Sequence, residues 1–381
     1  MKIIIEAQHV CHPTMGGAAP YTVNLIKSLW QRRNNDYALT VFDKDGERGN
    51  KSTVETRLGI TDIPIHECNN LSYITAQDVS DAYASKSYNA YTGASGDIFH
   101  FTNIRTVPDN IEGKVVVTIP DMNPFMLPKR FPEKFRNQYN IALDRIKAIK
   151  PSIITHSEYT KMYITEYTGI SLDNIYVVPQ GVQLSEGYKP NNNNEILTQA
   201  GIHTRYFLYN AECDTFVGMG HVLNTFEYIA SKHSDVQLVI LGDINKCNQP
   251  GLVQLVKNPF LGRIVILEQL TLEKKSALYT NALSLLVSIV YGDYYQYAME
   301  AFACGCPVIM PPHSSFMMNN DNPHISIRPE DGNHLTYEVE KLITSETLRQ
   351  EMKNKGLEYV KHLSWDGVAA QTEDVYKGMV K

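Results

Sequence analysis

Residues 299–309 read MEAFACGCPVI, a helix that puts a carboxylate, Glu300, at a ligand and then turns into a strand. Ala301, Ala303 and Gly305 are small enough to let that helix approach its neighbours closely. The other reading is a surface Glu on an ordinary helix. Near the start of the chain, Gly16 and Gly17 follow an apolar run and precede a helical pattern. Backbone N–H groups in such a loop can face a phosphate or an acceptor with no side chain between. Any tight strand-to-helix turn has the same need for glycine.

The elements that must position these residues are read from length and composition first. At 381 residues the chain holds about two domains. Hydrophobic residues make up 43% and charged residues 20%, with Gly and Pro spread along the chain, which places it among ordinary soluble globular proteins. The net charge of -6 and the scattered basic residues exclude a nucleic-acid footprint. Six scattered cysteines, with Cys304 and Cys306 too close for metal-type spacing, support neither zinc nor a disulfide framework. A reducing compartment follows.

One stretch departs from the overall charge. Between 129 and 150 lie Lys129, Arg130, Lys134, Arg136, Arg145, Lys147 and Lys150 against only Glu133 and Asp144, with Phe131, Phe135, Tyr139, Ile141 and Ile146 interleaved. It is either a solvated helix face or a peripheral contact with an anionic membrane. The opening MKIIIEAQHV has too short an apolar run for a signal peptide, and no run reaches transmembrane length. The expected location is cytoplasmic, at the inner face of the membrane if the basic stretch acts there.

KIIIEA is a β-branched apolar run, QHVCHPTMGGAAP a loop, and YTVNLIKSLWQRR has apolar residues at helical spacing. Strand-like runs follow at YALTVFD, DIFHFTN, KVVVTIPD, SIITHS and DNIYVVPQGV, with helical patterns over 133–150 and 158–168. The polar run around the asparagines at 191–194 reads as a linker. Beyond it the alternation restarts with RYFLYNAE and continues through VQLVILGD, RIVILEQL, LSLLVSIV and CPVIMP. Strands alternating with helices predict α/β halves, each a parallel sheet covered on both faces. In such sheets ligands bind beyond the carboxyl ends of the strands.

Five stretches, GGAAPYTVNLIKSL, VVVTIPDMNPF, IITHSEYTKMYITEYTGISLDNIYVVPQGV, ALYTNALSLLVSIVYGDYYQYAMEAFACGCPVI and LSWDGVAAQTEDVYKGM, together resemble the retaining glycosyltransferases of family four. The resemblance spans almost the whole chain in the right order. It implies the α/β GT-B architecture, two Rossmann-like domains facing each other across a cleft. Residues 1–183 would form the acceptor domain, 184–200 a linker and 201–364 the nucleotide-sugar domain. Residues 365–381 would form a helix packing back on the first domain, with Trp365 as its apolar anchor.

The activity implied is transfer of a sugar from a UDP- or GDP-sugar to a polysaccharide, glycan or lipid-linked acceptor, with retention and without a metal. Glu300 then falls where the family's carboxylate accepts hydrogen bonds from the ribose hydroxyls, since a carboxylate offers two acceptor oxygens to a diol. Ala301 and Gly305 let the helix come close to the diphosphate, a helix N-terminus just before Glu300 adds backbone donors, and Gly16 and Gly17 face phosphate or acceptor.

Several positions depart from the family pattern. Where an Arg and a Lys usually follow the first strand of the second domain, this chain has Glu212 and Val217. A lost donor to a departing diphosphate costs about 3 to 4 kcal/mol, so either another cation, Lys246 or Arg205, replaces them or the donor is not bound in the usual way. The usual His-Asp pair after VVVTI reads Pro120-Asp121, and proline offers no side-chain donor. Asp121 serves either the sugar or a loop cap. The Glu expected eight residues before Glu300 is Gly292, and counting from Ser288 instead gives Tyr291. An inserted residue would make Asp293 the sugar-binding carboxylate, unless it is a solvated turn residue.

Two readings follow. One is an active transferase with an altered cleft, using Glu300, Asp293, Asp121, the glycine loop and a replacement cation such as Lys246. The other is a degenerate relative that keeps the fold and serves as a binding or partner subunit of an active glycosyltransferase.

Overall fold

A computed structural model of the chain describes residues 1–11, 18–42, 51–68, 86–126, 128, 131–181, 188–211, 218–244, 249–287, 296–311, 323–328 and 331–380. The chain divides into two compact units, Met1–Gly181 with Trp365–Lys381, and Val182–Ser364.

The first unit is built on β1 (Lys2–Glu6), β2 (Asp36–Phe42), β3 (Ile65–Cys68), β4 (Ile98–Phe101), β5 (Lys114–Thr118), β6 (Ser152–Thr155) and β7 (Ile175–Val177). They form a parallel sheet in the order β3-β2-β1-β4-β5-β6-β7, with Ile3 opposite Tyr37 on one side and Ile98 on the other. Successive side chains of a strand point to opposite faces. Ile4, Phe99, Val115, Val117 and Ile153 therefore enter one core, and Ile3, Ile5, Ile98, Val116 and Ile154 the other. Both faces are covered, which is why these runs are apolar throughout instead of alternating. Edge strand β3, IHEC, is mostly not buried and lacks such a run.

The helix Trp365–Val380 belongs to this first unit. It places Val368, Ala369, Val375 and Tyr376 in the core beside Leu25, Leu29 and Tyr37. Trp365 lies against Gly181, where a Cβ would come within 2.8 Å of the indole.

The second unit repeats the plan with β8 (Arg205–Asn210), β9 (Val236–Leu241), β10 (Ile264–Leu267), β11 (Ser284–Leu286), β12 (Val308–Met310) and β13 (Ile325–Ser326). Their order is β10-β9-β8-β11-β12-β13, again all parallel. The sheet runs from β8 to one edge and restarts with β11 on the other side of β8, so the connections leaving β8 and β11 diverge at a topological switch point.

The asparagine run does not act as a free connector. The Asn191 N–H donates to Thr280 Oγ1 at 2.9 Å, and the Asn193 side chain accepts from the Glu195 N–H at 3.0 Å, capping the helix Asn194–Gln199. Asparagine is among the best N-cap residues, and the polar composition that suggests a linker is here the start of a helix.

Candidate functional site

The helix Gln296–Ala303 connects β11 to β12 and so enters from the carboxyl end of a strand that borders the switch point. Glu300 sits on it four residues after its first described residue, in the second turn and not immediately at an N-terminus. It is only 4% exposed, so it is no surface residue. Its Oε2 accepts a hydrogen bond of 3.3 Å from the Tyr279 hydroxyl, on the preceding helix Leu272–Asn281. A carboxylate in such a place is costly unless other groups or a ligand compensate it.

The small residues around Glu300 have identifiable tasks. Ala301 and Ala303 lie in the core of the second unit with Phe302. Gly356, on the helix Glu346–Lys361, lets that helix press onto the Phe302 ring, where a Cβ would come within 2.8 Å. Gly305 has φ +71 and follows the helix end. Its N–H donates to the Phe302 carbonyl at 2.9 Å and the Cys306 N–H to the Ala301 carbonyl at 2.8 Å. That pair of bonds is a Schellman cap, which demands a left-handed residue at this position. The expectation that Gly305 is small for a ligand's sake meets a sufficient local reason of another kind.

The replacement cation narrows as well. Arg205 opens β8 and therefore lies at the amino end of the strand, away from the edge where ligands bind. Its Nη2 pairs with Asp235 at 2.6 Å and its Nη1 donates to the Ile343 carbonyl at 3.2 Å. Arg205 is committed to holding β8, β9 and a flanking helix together. Lys246 lies outside the described residues, as do Gly16, Gly17, Glu212, Val217, Gly292 and Asp293.

Asp121 follows β5 in the first unit. Its Oδ1 accepts from the Asn123 N–H at 2.9 Å at the start of the short helix Asn123–Met126, and its carbonyl accepts from the Tyr139 hydroxyl at 3.2 Å. Burial raises its carboxyl above the ordinary value, and the Asn123 bond partly offsets this. The cap geometry named for it is present.

A polar cluster that the sequence reading passes over lies at the first unit's own switch point, beyond the carboxyl ends of β1 and β4. Glu6, 1% exposed, accepts from the Gln8 N–H at 2.7 Å and the Thr106 hydroxyl at 3.1 Å. Gln8 Oε1 in turn accepts from the Phe42 N–H at 2.7 Å, and Asn103 Nδ2 lies 2.5 Å from His9 Nε2. Burial pushes the Glu6 carboxyl up to about 7 against these two donors. A charged residue closing an apolar strand was the available signal.

No family model matches the chain, and no curated protein does. Solved structures do. Sucrose-phosphate synthase from Thermosynechococcus elongatus is 17% identical with a TM-score of 0.73, over 100% of this chain and 99% of that one. HepE from Anabaena, solved with UDP, is 13% identical with a TM-score of 0.73, over 99% of this chain and 100% of its own. WaaG, a glycosyltransferase of lipopolysaccharide biosynthesis, is 12% identical with a TM-score of 0.69, over 98% of this chain and 99% of its own. The fold is GT-B.

Within this GT-B chain the basic stretch looks inward more than its sequence suggests. Tyr139 and Ile146 are buried in the first unit's core, with Phe135 and Ile141 packed against it. Arg145, 6% exposed, pairs through Nε with Asp109 at 2.6 Å, and the Arg105 guanidinium lies over the Phe135 ring. Lys134, Lys147 and Lys150 remain exposed, while Lys129 and Arg130 lie outside the described residues. Among the described residues, no helix of the GT-B chain is long and apolar enough to cross a membrane.

Proposed function

We propose that this chain is a metal-independent retaining glycosyltransferase that binds a UDP- or GDP-sugar in its second unit and delivers the sugar to a glycan, polysaccharide or lipid-linked acceptor. The observation that supports this most is Glu300, a buried carboxylate held by Tyr279 on the helix that leaves the switch point of a GT-B domain. Its acceptor oxygens suit the paired hydroxyls of a ribose. HepE, on the same fold, has been solved with UDP and with UDP-glucose, which favours a uridine nucleotide here.

In this reading the transfer breaks the bond between the anomeric carbon and the diphosphate, and the leaving group develops negative charge that the protein must meet. Glu300 fixes the nucleoside. The Gly16-Gly17 loop offers backbone N–H groups, Lys246 supplies the cation, and Asp293 or Asp121 orients the sugar. The exposed lysines of 129–150 leave an electrostatic contact with an anionic membrane, without an aromatic anchor from Tyr139, as the form peripheral attachment would take.

The second reading, a binding or partner subunit of an active transferase, draws on Glu212, Val217 and Pro120 standing where polar or cationic contacts are expected, and on Arg205 being engaged elsewhere. Calorimetric titration with UDP- and GDP-sugars tests the proposal: a folded chain that binds neither is no transferase.

A further inference from the structure

Tyr279 is wholly buried, and its place is set from several sides. Thr271 caps the start of its helix, with the side chain accepting from the Lys274 N–H at 3.3 Å. The Tyr206 hydroxyl, on β8, donates to the Leu278 carbonyl at 2.7 Å. The Leu283 N–H donates to the Tyr206 carbonyl at 2.9 Å, so the residues that follow the helix are fixed to the same strand. The Tyr279 ring packs at 57° against Tyr188, with centroids 6.3 Å apart. Its hydroxyl is thus a fixed point. Glu300, by contrast, has three side-chain torsions that must be ordered before its carboxylate can meet two hydroxyls at once.

A phenol can only donate to an ionised carboxylate, and it occupies one of about four acceptor positions on the two oxygens. At 3.3 Å the bond is longer than a full-strength O–H···O⁻ contact. Its main effect is then directional: with Oε2 tethered to a fixed phenol, the carboxylate turns less freely.

We propose that Tyr279 is a positioning residue that aims Glu300 at the ribose and so sets the preference of the second unit for ribonucleotides over 2′-deoxyribonucleotides. This rests on the reading of Glu300 as the ribose contact. Neither the phenol nor its ring needs to touch the nucleotide; Tyr279 acts through the carboxylate.

The test titrates UDP, GDP and their 2′-deoxy counterparts into the full-length chain, into Tyr279→Phe, into Glu300→Gln and into the double variant. The expected result is a ribo-over-deoxy preference of about tenfold or more in the unaltered chain, the worth of one hydrogen bond to a charged group. It should fall to within about threefold in Tyr279→Phe and in Glu300→Gln, with no further fall in the double variant, because residues acting through one contact are not additive. Phe keeps the buried ring, and melting curves of each variant show whether it is folded. If Tyr279→Phe fails to fold, Tyr279→Met takes its place in the same cycle.

The outcomes separate the two ideas. If Glu300→Gln keeps the full preference, or no nucleotide binds the unaltered chain, the ribose reading fails and Tyr279 falls with it. If Glu300→Gln loses the preference while the folded Tyr279 variant retains it, the ribose contact stands and the positioning role is overturned.

Discussion

Arg32, at the end of the helix Ala18–Arg32, places its Nε 3.1 Å from Oε2 of Glu373, 341 residues further along the chain. Glu373 has no exposed surface, and it also accepts from Asn34 Nδ2 at 2.8 Å and from the Tyr37 hydroxyl at 2.9 Å. One carboxylate on the terminal helix therefore gathers three donors from the first 37 residues. The first unit is closed by the last residues of the chain, and this carboxylate is the polar part of that closure.

Replacing Glu373 by Ala should destabilise the first unit by about 2 to 4 kcal/mol, since the buried Tyr37 hydroxyl and the half-buried Arg32 guanidinium both lose this acceptor. The same Arg32 also pairs with Asp366 at 2.7 Å, but that carboxylate is 75% exposed. Asp366→Ala should cost less than about 1 kcal/mol. Urea unfolding of the two variants decides the matter; equal effects would show that burial is not what gives Glu373 its weight.

Gly305→Ala should destabilise the second unit by about 1 to 2 kcal/mol, the cost of a left-handed conformation for a residue with a Cβ. The new methyl would also meet the Lys353 stem at 2.9 Å, a flexible side chain that can bend away. Gly305→Asn should cost less, because Asn tolerates this conformation. Nucleotide affinity should not change. Lost affinity with an unchanged melting temperature would return Gly305 to the ligand.

Glu6 makes stability depend on pH in a stated direction. Its folded value, about 7, lies above the ordinary 4.5, so the folded chain holds the proton more tightly than the unfolded chain. The stabilisation is complete below about 4.5 and is lost as pH rises through about 7, up to roughly 3 kcal/mol. Glu6→Gln, which resembles the protonated form, removes this dependence. Its stability relative to the unaltered chain should therefore rise between pH 4.5 and 8, measured by denaturant unfolding at each pH. A constant difference would contradict the assignment.

Much of the fold was legible because strands buried on both faces leave continuous apolar runs such as IIIE, VVVT and QLVIL, and these lie where the strands form. Strand β3 escaped because an edge strand with one buried residue has no such run. The asparagines at 191–194 misled because the same side chains serve linkers and N-caps, and only the backbone partner tells which. At the site, Glu300 stood out by its small neighbours, whereas Tyr279 sat unmarked in a helical pattern, since a contact 21 residues away leaves no periodic signal. The capping role of Gly305 is legible too: a glycine just past the last helical residue is itself a C-cap signal. Arg205 is the first residue of its strand, and in a parallel sheet that places it at the edge away from ligands.

The most direct measurement is titration calorimetry of the full-length chain with UDP- and GDP-sugars, repeated with Glu300→Ala. The account predicts saturable binding of one of these donors, weakened about tenfold or more when the carboxylate is removed. A well-folded chain that binds neither donor, or a Glu300→Ala variant with unchanged affinity, would contradict it.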